Sequence, residues 1–193
     1  MTRKDMMKFI SSAYESDNIV DFAQLLTDYP ECRTYSDGSS GNRWLSDAAL
    51  DGKLEILKVL ISSGADVNEP SNPGDSVPAP EGAIVYACDG GHLEVVRYLL
   101  DRGAKINHVV NGRVRCQALV GAVIEGHVDV AKLLVDRGAE VNAIWGQMTP
   151  LDRAVMHRQT AAADYLRSVG GKTAMEVDPE AASPPKKKGR GKR

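Results

Sequence analysis

Residues 91–107 read GHLEVVRYLLDRGAKIN, and two other stretches of the chain repeat this phrase closely. They read GKLEILKVLISSGADVN at 52–68 and GHVDVAKLLVDRGAEVN at 126–142. In each copy, apolar residues follow the opening glycine at the spacing of one buried helical face. A helix of about ten residues is barely stable by itself in water. The repetition therefore predicts a stack in which every copy is stabilised by its neighbours.

A second apolar segment precedes each opening glycine. The three segments are WLSDAALD at 44–51, AIVYACDG at 83–90 and ALVGAVIE at 118–125. Each places an alanine four residues before the glycine, where a small side chain lets two helices approach closely. The alanines are Ala48, Ala87 and Ala122. We therefore predict units of helix, tight glycine turn, helix and loop. Each loop opens with a glycine suited to the left-handed end of a helix, and these are Gly64, Gly103 and Gly138.

Two weaker copies flank these three units. The last reads TPLDRAVMHRQTAAADYLRSVGG at 149–171, and the first contains NIVDFAQLL at 18–26. A period of about 33 residues, TPL at a helix start, GH at the turn and GADVN at the end resemble the ankyrin repeat. The resemblance covers residues 5–171 and implies an all-α solenoid of about five helix-turn-helix units with finger loops. The units lie near 5–30, 43–68, 82–107, 117–142 and 149–171.

The chain departs from the ankyrin pattern in its loops. The histidine that usually follows TPL is missing, and its places are taken by Ser46, Val85, Val120 and Asp152. We expect the hydrogen bonds of that histidine to neighbouring loops to be lost, and the fingers to be less regular. The loop at 69–82 is also longer than the pattern needs, and the loop at 31–43 is rich in Gly and Ser.

The repeat pattern stops after Gly171, so the repeat domain is predicted to cover residues 1–171. Residues 172–193 contain Pro, Ala and charged residues with few large apolar side chains, and we predict a disordered basic tail. The last eight residues hold six of the 24 basic side chains, which leaves residues 1–185 with 18 basic and 26 acidic residues, a charge of −8. The tail fits a nuclear localisation signal, weak binding to nucleic-acid phosphates or a solubilising end.

No catalytic, cofactor or metal site is predicted. The sequence has no P-loop, no dinucleotide fingerprint, no HExxH motif and no nucleophile elbow. His92 and His127 follow the turn glycines, and we interpret them as structural turn residues. The three cysteines never occur as CxxC, which favours a reducing compartment without disulfides. We expect neither a secretory signal nor a membrane span.

The candidate partner-binding surface is marked by departures from repetition. The third finger, HVVNGRVRC, is basic, and the fourth, AIWGQM, offers a tryptophan, whereas the earlier fingers and the ends of the first helices are acidic. The predicted partner-binding residues are Trp145, Met148, Arg113, Arg115, Asp89, Glu125, Asp51 and Glu81. Trp and Arg are frequent anchors in interfaces, so Trp145 is the first candidate. The alternative is that its ring folds back onto the adjacent helices.

These features indicate a non-enzymatic protein-binding module that is monomeric before it binds its partner. Free-standing ankyrin chains with irregular loops resemble immunity proteins of bacterial toxin systems. That resemblance implies a cytoplasmic inhibitor that binds and occludes a cognate toxin. An acidic body would steer association with a basic partner. The alternative is an ankyrin adaptor or scaffold that its basic tail directs to the nucleus.

Overall fold

The computed structural model describes residues 3–30, 43–70, 82–110 and 112–179. In these ranges the helices are α1 (Arg3–Glu15), α2 (Ile19–Asp28), α3 (Arg43–Leu50), α4 (Leu54–Ser62), α5 (Ala83–Asp89), α6 (Leu93–Asp101), α7 (Gln117–Glu125), α8 (Val128–Asp136), α9 (Pro150–Met156), α10 (Thr160–Ser168) and α11 (Ala174–Val177). Two strands, β1 (His108–Val110) and β2 (Arg113–Arg115), form an antiparallel hairpin in the third finger. The predicted all-α solenoid is confirmed, with this hairpin as a local addition.

Helices α1 to α10 form five consecutive pairs, which are the five predicted units. The first helices α3, α5, α7 and α9 contact one another more extensively than the second helices do, so the array is tighter on the first-helix side. The predicted close-approach alanines, together with the equivalent one in the last unit, are fully buried: Ala48, Ala87, Ala122 and Ala154. The apolar face of the second helices is buried as well, at Leu60, Leu99, Leu134 and Leu166.

The turn inside every unit places one residue in the left-handed region of backbone space. These residues are Asp17 (φ 53°), Gly52 (φ 73°), Gly91 (φ 72°), Gly126 (φ 82°) and Arg158 (φ 59°). The inner turns require glycine for space as well as conformation, because a Cβ at Gly91 would lie 2.5 Å from the His127 ring of the next unit. The outer turns escape this limit. Arg158 is exposed, and the contact of Asp17 with the next unit is an ion pair with the flexible Lys53 side chain (3.0 Å).

In the second to fifth units, the residue after the turn links its unit to the preceding one. Lys53 Nζ donates to the Tyr14 carbonyl (2.6 Å), His92 Nε2 to that of Leu50 (2.8 Å), His127 Nε2 to that of Asp89 (3.1 Å) and Gln159 Nε2 to that of Ile124 (2.8 Å). These carbonyls stand at the ends of first helices, where intrahelical donors run out. Since a carbonyl oxygen only accepts, both histidines carry the proton on Nε2. The structural role predicted for His92 and His127 is confirmed.

An asparagine at the base of each loop makes a second link between units. Asn107 Nδ2 donates to the Gly138 carbonyl (2.8 Å), and its Oδ1 accepts from the Glu140 amide (2.9 Å). The same pair of bonds recurs at the other two asparagines that close a repeat phrase, Asn68 and Asn142. Each loop therefore starts from a fixed position, whatever its tip contains.

The chain remains attached to the array beyond Gly171, where the sequence predicts the repeat domain to end. The Asp152 carboxylate accepts hydrogen bonds from the Thr149 amide (2.9 Å) and the Ala174 amide (2.7 Å). Thr149 Oγ1 donates to the Lys172 carbonyl (2.7 Å). Ala174 is buried and begins α11. Contacts with the array thus continue past Gly171, because the Asp152 carboxylate, which takes the place of the expected histidine, binds the following segment. The boundary itself stays a prediction. Residues 180–193 lie outside the described part, so the disorder predicted for them stays a prediction.

The inner turns require glycine both for its positive φ and for lack of space, and this predicts that two glycine substitutions lower the free energy of unfolding by different amounts. Gly103→Ala should cost about 1–2 kcal/mol, because its φ is +88° and no atom lies near its Cβ position. Gly91→Ala should cost about 2 kcal/mol more, since the new methyl group displaces His127 and its hydrogen bond. Urea unfolding measures both free energies. In a His127→Ala background the extra cost at Gly91 should disappear, and persistence of the full cost there would contradict this account.

The contacts beyond Gly171 predict where the folded unit ends. A chain ending at Gly171 should lose about 2–4 kcal/mol of unfolding free energy, because three inter-segment hydrogen bonds and the burial of Ala174 are removed. A chain ending at Pro179 keeps all of these contacts and should unfold like the full chain. Thermal and urea denaturation followed by circular dichroism compare the two. Equal stability of both truncated chains would show that α11 does not support the last unit.

Candidate protein-binding surface

The third and fourth fingers enclose a cleft of about 290 Å³. Strand pairing places Val110 opposite Arg113, and Arg115 lies two residues further along the same strand. Because side chains alternate along a strand, these three share one face of the hairpin. Residues 144–147 of the fourth finger line the opposite side of the cleft. The fold thus brings Arg113, Arg115 and Trp145 together, as the sequence analysis grouped them.

Trp145 is held in this cleft by Arg153, a residue of α9. The guanidinium carbon of Arg153 lies 4.9 Å from the centroid of the indole ring, and its Nη2 donates to the Trp145 carbonyl (3.1 Å). The Trp145 amide also donates to the Met148 carbonyl (2.9 Å), and the Met148 amide returns the bond (3.2 Å). The indole is half-buried. Its ring therefore packs back against α9, as the alternative interpretation expected, and still lines the cleft.

The positive charge of the cleft comes from two arginines, Arg113 and Arg115. Arg113 is exposed and Arg115 is half-buried. Within the described ranges, neither forms an ion pair or a hydrogen bond through its side chain. His108 pairs with Arg115 across the hairpin, and burial lowers the pKa of its imidazole below the ordinary value. His108 is therefore neutral near pH 7 and adds no charge to the cleft.

The predicted acidic residues lie at the other end of the first helices. Asp89 and Glu125 are the last residues of α5 and α7, which contain seven and nine residues, so about 10–13 Å of helix separates them from the fingers. Glu125 is exposed, whereas Asp89 is half-buried and its Oδ1 lies against Gly121 of the next unit. These carboxylates do not join the cleft. Glu81, the remaining acidic candidate, lies outside the described residues.

Asp51 has a structural partner in the first unit. Its Oδ2 accepts a hydrogen bond from the Tyr14 hydroxyl (2.6 Å). Burial, together with this bond and the nearby carboxylates, raises the pKa of Tyr14 far above its ordinary value. The Tyr14 ring packs on Phe22 and Trp44, with ring centroids 6.2 and 5.2 Å away. Asp51 therefore anchors an aromatic cluster that joins the first unit to the second.

The thiols of the described part are buried rather than poised for reaction. Cys88 and Cys116 are free, and burial raises the pKa of both, to about 11 for Cys116. A thiol in such surroundings stays protonated and is a poor nucleophile. Among the described residues, no three His, Cys, Asp or Glu side chains are grouped so that they could hold a metal ion. None of the helices in those ranges is long and apolar enough to cross a membrane.

Arg153 is a residue of this surface that the sequence did not single out, and the same holds for Val110 and Ile144 of the cleft walls. Arg153 begins the last turn of α9, a helix of seven residues, and helical side chains lean toward the N-terminus of their helix, which here faces the fourth finger. A long cationic side chain in this position, eight residues after a loop tryptophan, is the signal that could have identified it. Its Nε is buried and has no hydrogen-bond partner in the described structure.

The paired helices, repeated turns and variable fingers define a helical repeat protein, a class that presents extended surfaces to other proteins. A family model for ankyrin repeats in three copies matches residues 45–144 and 84–176. The chain belongs to the ankyrin repeat family and is a protein-interaction module of that kind. It is also similar to the crystal structure of the human ASB11 ankyrin repeat domain, with a TM-score of 0.70 and 20% identity over 90% of this chain and 76% of that one. At this identity the likeness concerns the fold.

Two curated relatives resemble parts of the chain. The Notch-regulated ankyrin repeat-containing protein of Homo sapiens is 29% identical over 108 residues, covering 55% of this chain and 87% of the relative. The E3 ubiquitin-protein ligase XBAT33 of Arabidopsis thaliana is 33% identical over 126 residues, covering 58% of this chain. This chain spans only 23% of that ligase, so the likeness concerns its repeats.

The contact between Arg153 and Trp145 predicts an optical result. Arg153→Ala should expose the indole, because the ring loses its stacked guanidinium and the loop loses a hydrogen bond. Acrylamide should then quench the tryptophan fluorescence more strongly than in the unaltered chain. Trp44 is only 5% exposed and supplies a constant background. Arg167→Ala, which removes an exposed pair with Asp164, is the matched control and should leave quenching unchanged. Equal quenching in the Arg153→Ala variant would show that the guanidinium does not hold the ring.

Proposed function

We propose that this protein binds another protein through its third and fourth fingers and acts by covering a functional surface of that partner. One observation carries the proposal. The helices and loop bases repeat almost without change, whereas the two fingers diverge and together build a cleft with Arg113, Arg115 and Trp145 on its walls. A loop tryptophan beside arginines is a composition typical of interface hot spots.

Occlusion as a mechanism agrees with the state of the reactive side chains among the described residues. Cys88 and Cys116 are buried and protonated, and His92 and His127 are engaged in bonds between units. What the described surface offers to another molecule is shape, charge and an aromatic ring. We therefore propose an inhibitor or adaptor that works by contact and carries out no reaction of its own.

The contact surface that we propose is smaller than the surface predicted from the sequence. That interpretation combined the fingers with acidic first-helix ends and favoured a basic partner such as a toxin. Asp51 and Asp89 have neighbours within the fold, while the side chains of Arg113 and Arg115 form no ion pair or hydrogen bond with the residues that the structure describes. We assign the specific contact to the cationic fingers, and leave to the acidic body only long-range effects on association.

A nuclear adaptor remains the alternative to a cytoplasmic inhibitor. It would use the same finger surface and would differ in location, through the basic residues 186–193. Fusing these residues to a fluorescent reporter and imaging the cells separates the two: accumulation of the reporter in nuclei supports the adaptor, and an even distribution supports the inhibitor.

Affinity capture with matched variants tests the proposed surface. The double variant Arg113→Glu/Trp145→Ala should lose a partner that the unaltered chain retains from a lysate of its own host. Glu55→Lys/Asp129→Lys changes two exposed residues of second helices and should retain it. If Trp145 is a hot spot, Trp145→Ala alone should dissociate from the purified partner about thirty times faster.

Two results would contradict the proposal. Loss of the partner in the second-helix variant, with retention in the finger variant, would place the contact on the opposite face. Binding without any change in the partner's own activity would reject occlusion while leaving the binding surface intact. Circular dichroism and thermal unfolding of each variant establish that the fold is preserved.

A further inference from the structure

We propose that the cleft between the hairpin and the fourth finger binds an acidic, extended peptide segment of the partner, with a carboxylate between Arg113 and Arg115 and a neighbouring apolar side chain against Trp145. The inference rests on the proposed function, because it names the chemistry of the partner at the same site. It differs from the basic partner that the overall charge of the chain suggests.

The size and lining of the cleft fit a short stretch of peptide. Its volume of about 290 Å³ lies near the lower end of the range for ligand pockets, which suits one or two side chains better than a folded surface. Val110 and Ile144 supply apolar walls, and Trp145 supplies a ring. A segment that enters here can bury an aliphatic group while its carboxylate remains at the arginines.

The arginines are the strongest indication of the charge of the ligand. Three other arginines on the described surface pair with carboxylates of this chain: Arg97 with Glu94, Arg137 with Asp101 and Arg167 with Asp164. Arg113 and Arg115 have no such partner in the described ranges, and Arg115 is half-buried. Burying an unpaired charge is costly, and a guanidinium forms its strongest hydrogen bonds with a carboxylate. A peptide carboxylate would supply the missing partner.

Arg153 prepares the apolar half of the site. Its guanidinium stacks on the Trp145 indole and donates a hydrogen bond to the Trp145 carbonyl, and these two contacts hold the ring in place. The guanidinium is thereby engaged within the chain. A ring that is already oriented loses little conformational freedom when a ligand binds. Arg153 is therefore a positioning residue, and Arg113 and Arg115 are the contact residues.

The surroundings of the cleft favour a peptide over a nucleic acid. A second cleft shares Arg113 and Ile144 with the first and is also lined by Glu140 and Asp178. A continuous chain of phosphates that left the first cleft in this direction would meet two carboxylates, whereas a peptide can place an isolated acid at the arginines and a different residue beyond them. Residues 1–185, with 18 basic and 26 acidic side chains, would also repel a polyanion at longer range.

Selection from a phage library of random short peptides tests the inference directly. The full chain should enrich peptides that contain Asp or Glu beside an apolar residue. Binding of a selected, fluorescein-labelled peptide, measured by anisotropy, should weaken more than about tenfold in Arg113→Gln and in Arg115→Gln. It should weaken by a similar factor when Gln replaces the acid of the peptide. Arg97→Gln, which alters an exposed arginine of α6, is the control and should bind normally.

Arg153→Ala gives a separate readout of positioning. It should weaken the same peptide and leave the salt dependence of binding unchanged, because the arginines that contact the carboxylate remain. Arg115→Gln should reduce that salt dependence, since one charged contact is lost. If both variants change the salt dependence equally, the division between positioning and contact residues is wrong.

Three outcomes would overturn the inference. Enrichment of neutral or basic peptides would reject an acidic ligand, and so would full binding by Arg113→Gln and Arg115→Gln. Failure to enrich any peptide would reject a peptide site, and if single-stranded oligothymidylate binds through the same arginines the ligand is a nucleic acid. The proposed function is tested separately by capture of the whole partner, which can succeed through the fingers even where the contacting segment is not acidic.

Discussion

The array depends on one hydrogen bond that is repeated from unit to unit. The side chain after each turn donates to a carbonyl at the end of the preceding first helix, as His92 does to Leu50. Helices this short leave their last carbonyls without partners, and a unit cannot supply the missing donor from within itself. The His92 ring that makes this bond also covers the turn of the preceding unit, so Gly52 is required there for both conformation and space. The conformation of the turn and the contact between units therefore depend on each other.

This arrangement separates stability from recognition. Burial of Leu99 and its equivalents, together with the turn bonds, stabilises the helices. Asparagines such as Asn107 fix the start of a finger through hydrogen bonds to the next unit, and these bonds do not depend on the sequence of the finger tip. The third tip can therefore become a hairpin, and the fourth can form a bridge between Trp145 and Met148, without loss to the stack. Binding residues occur commonly on such loops because a rigid scaffold positions them.

The charges of the chain act at two scales. The excess of acidic residues over residues 1–185 describes the body at a distance. Close to the surface, what matters is which charges already have a partner. Asp51 is bound to Tyr14, whereas Arg113 and Arg115 are unpaired in the described ranges. Salt screens the distant field within about 10 Å, so the contact chemistry follows the unpaired arginines. For this reason the net charge suggests one kind of partner and the cleft suggests another.

The five units, their turns and the buried face of each second helix could be predicted from the sequence, because in a repeat protein the same position of every copy makes the same contact with the next unit. The sequence also predicted that His92 and His127 serve the turns, and it selected Trp145 with the two arginines as candidates. The structure was needed to show that these three residues share a cleft, because the register of the hairpin and the path of the fourth finger are not part of the repeat. It also showed that Asp89 is half-buried against the next unit. It likewise decided that Arg153 holds the indole and that Asp152 ties the chain beyond Gly171. The residues of these contacts do not occupy equivalent positions in the repeats, so the repeat pattern could not predict them. Their geometry depends on how the loops pack on the helices.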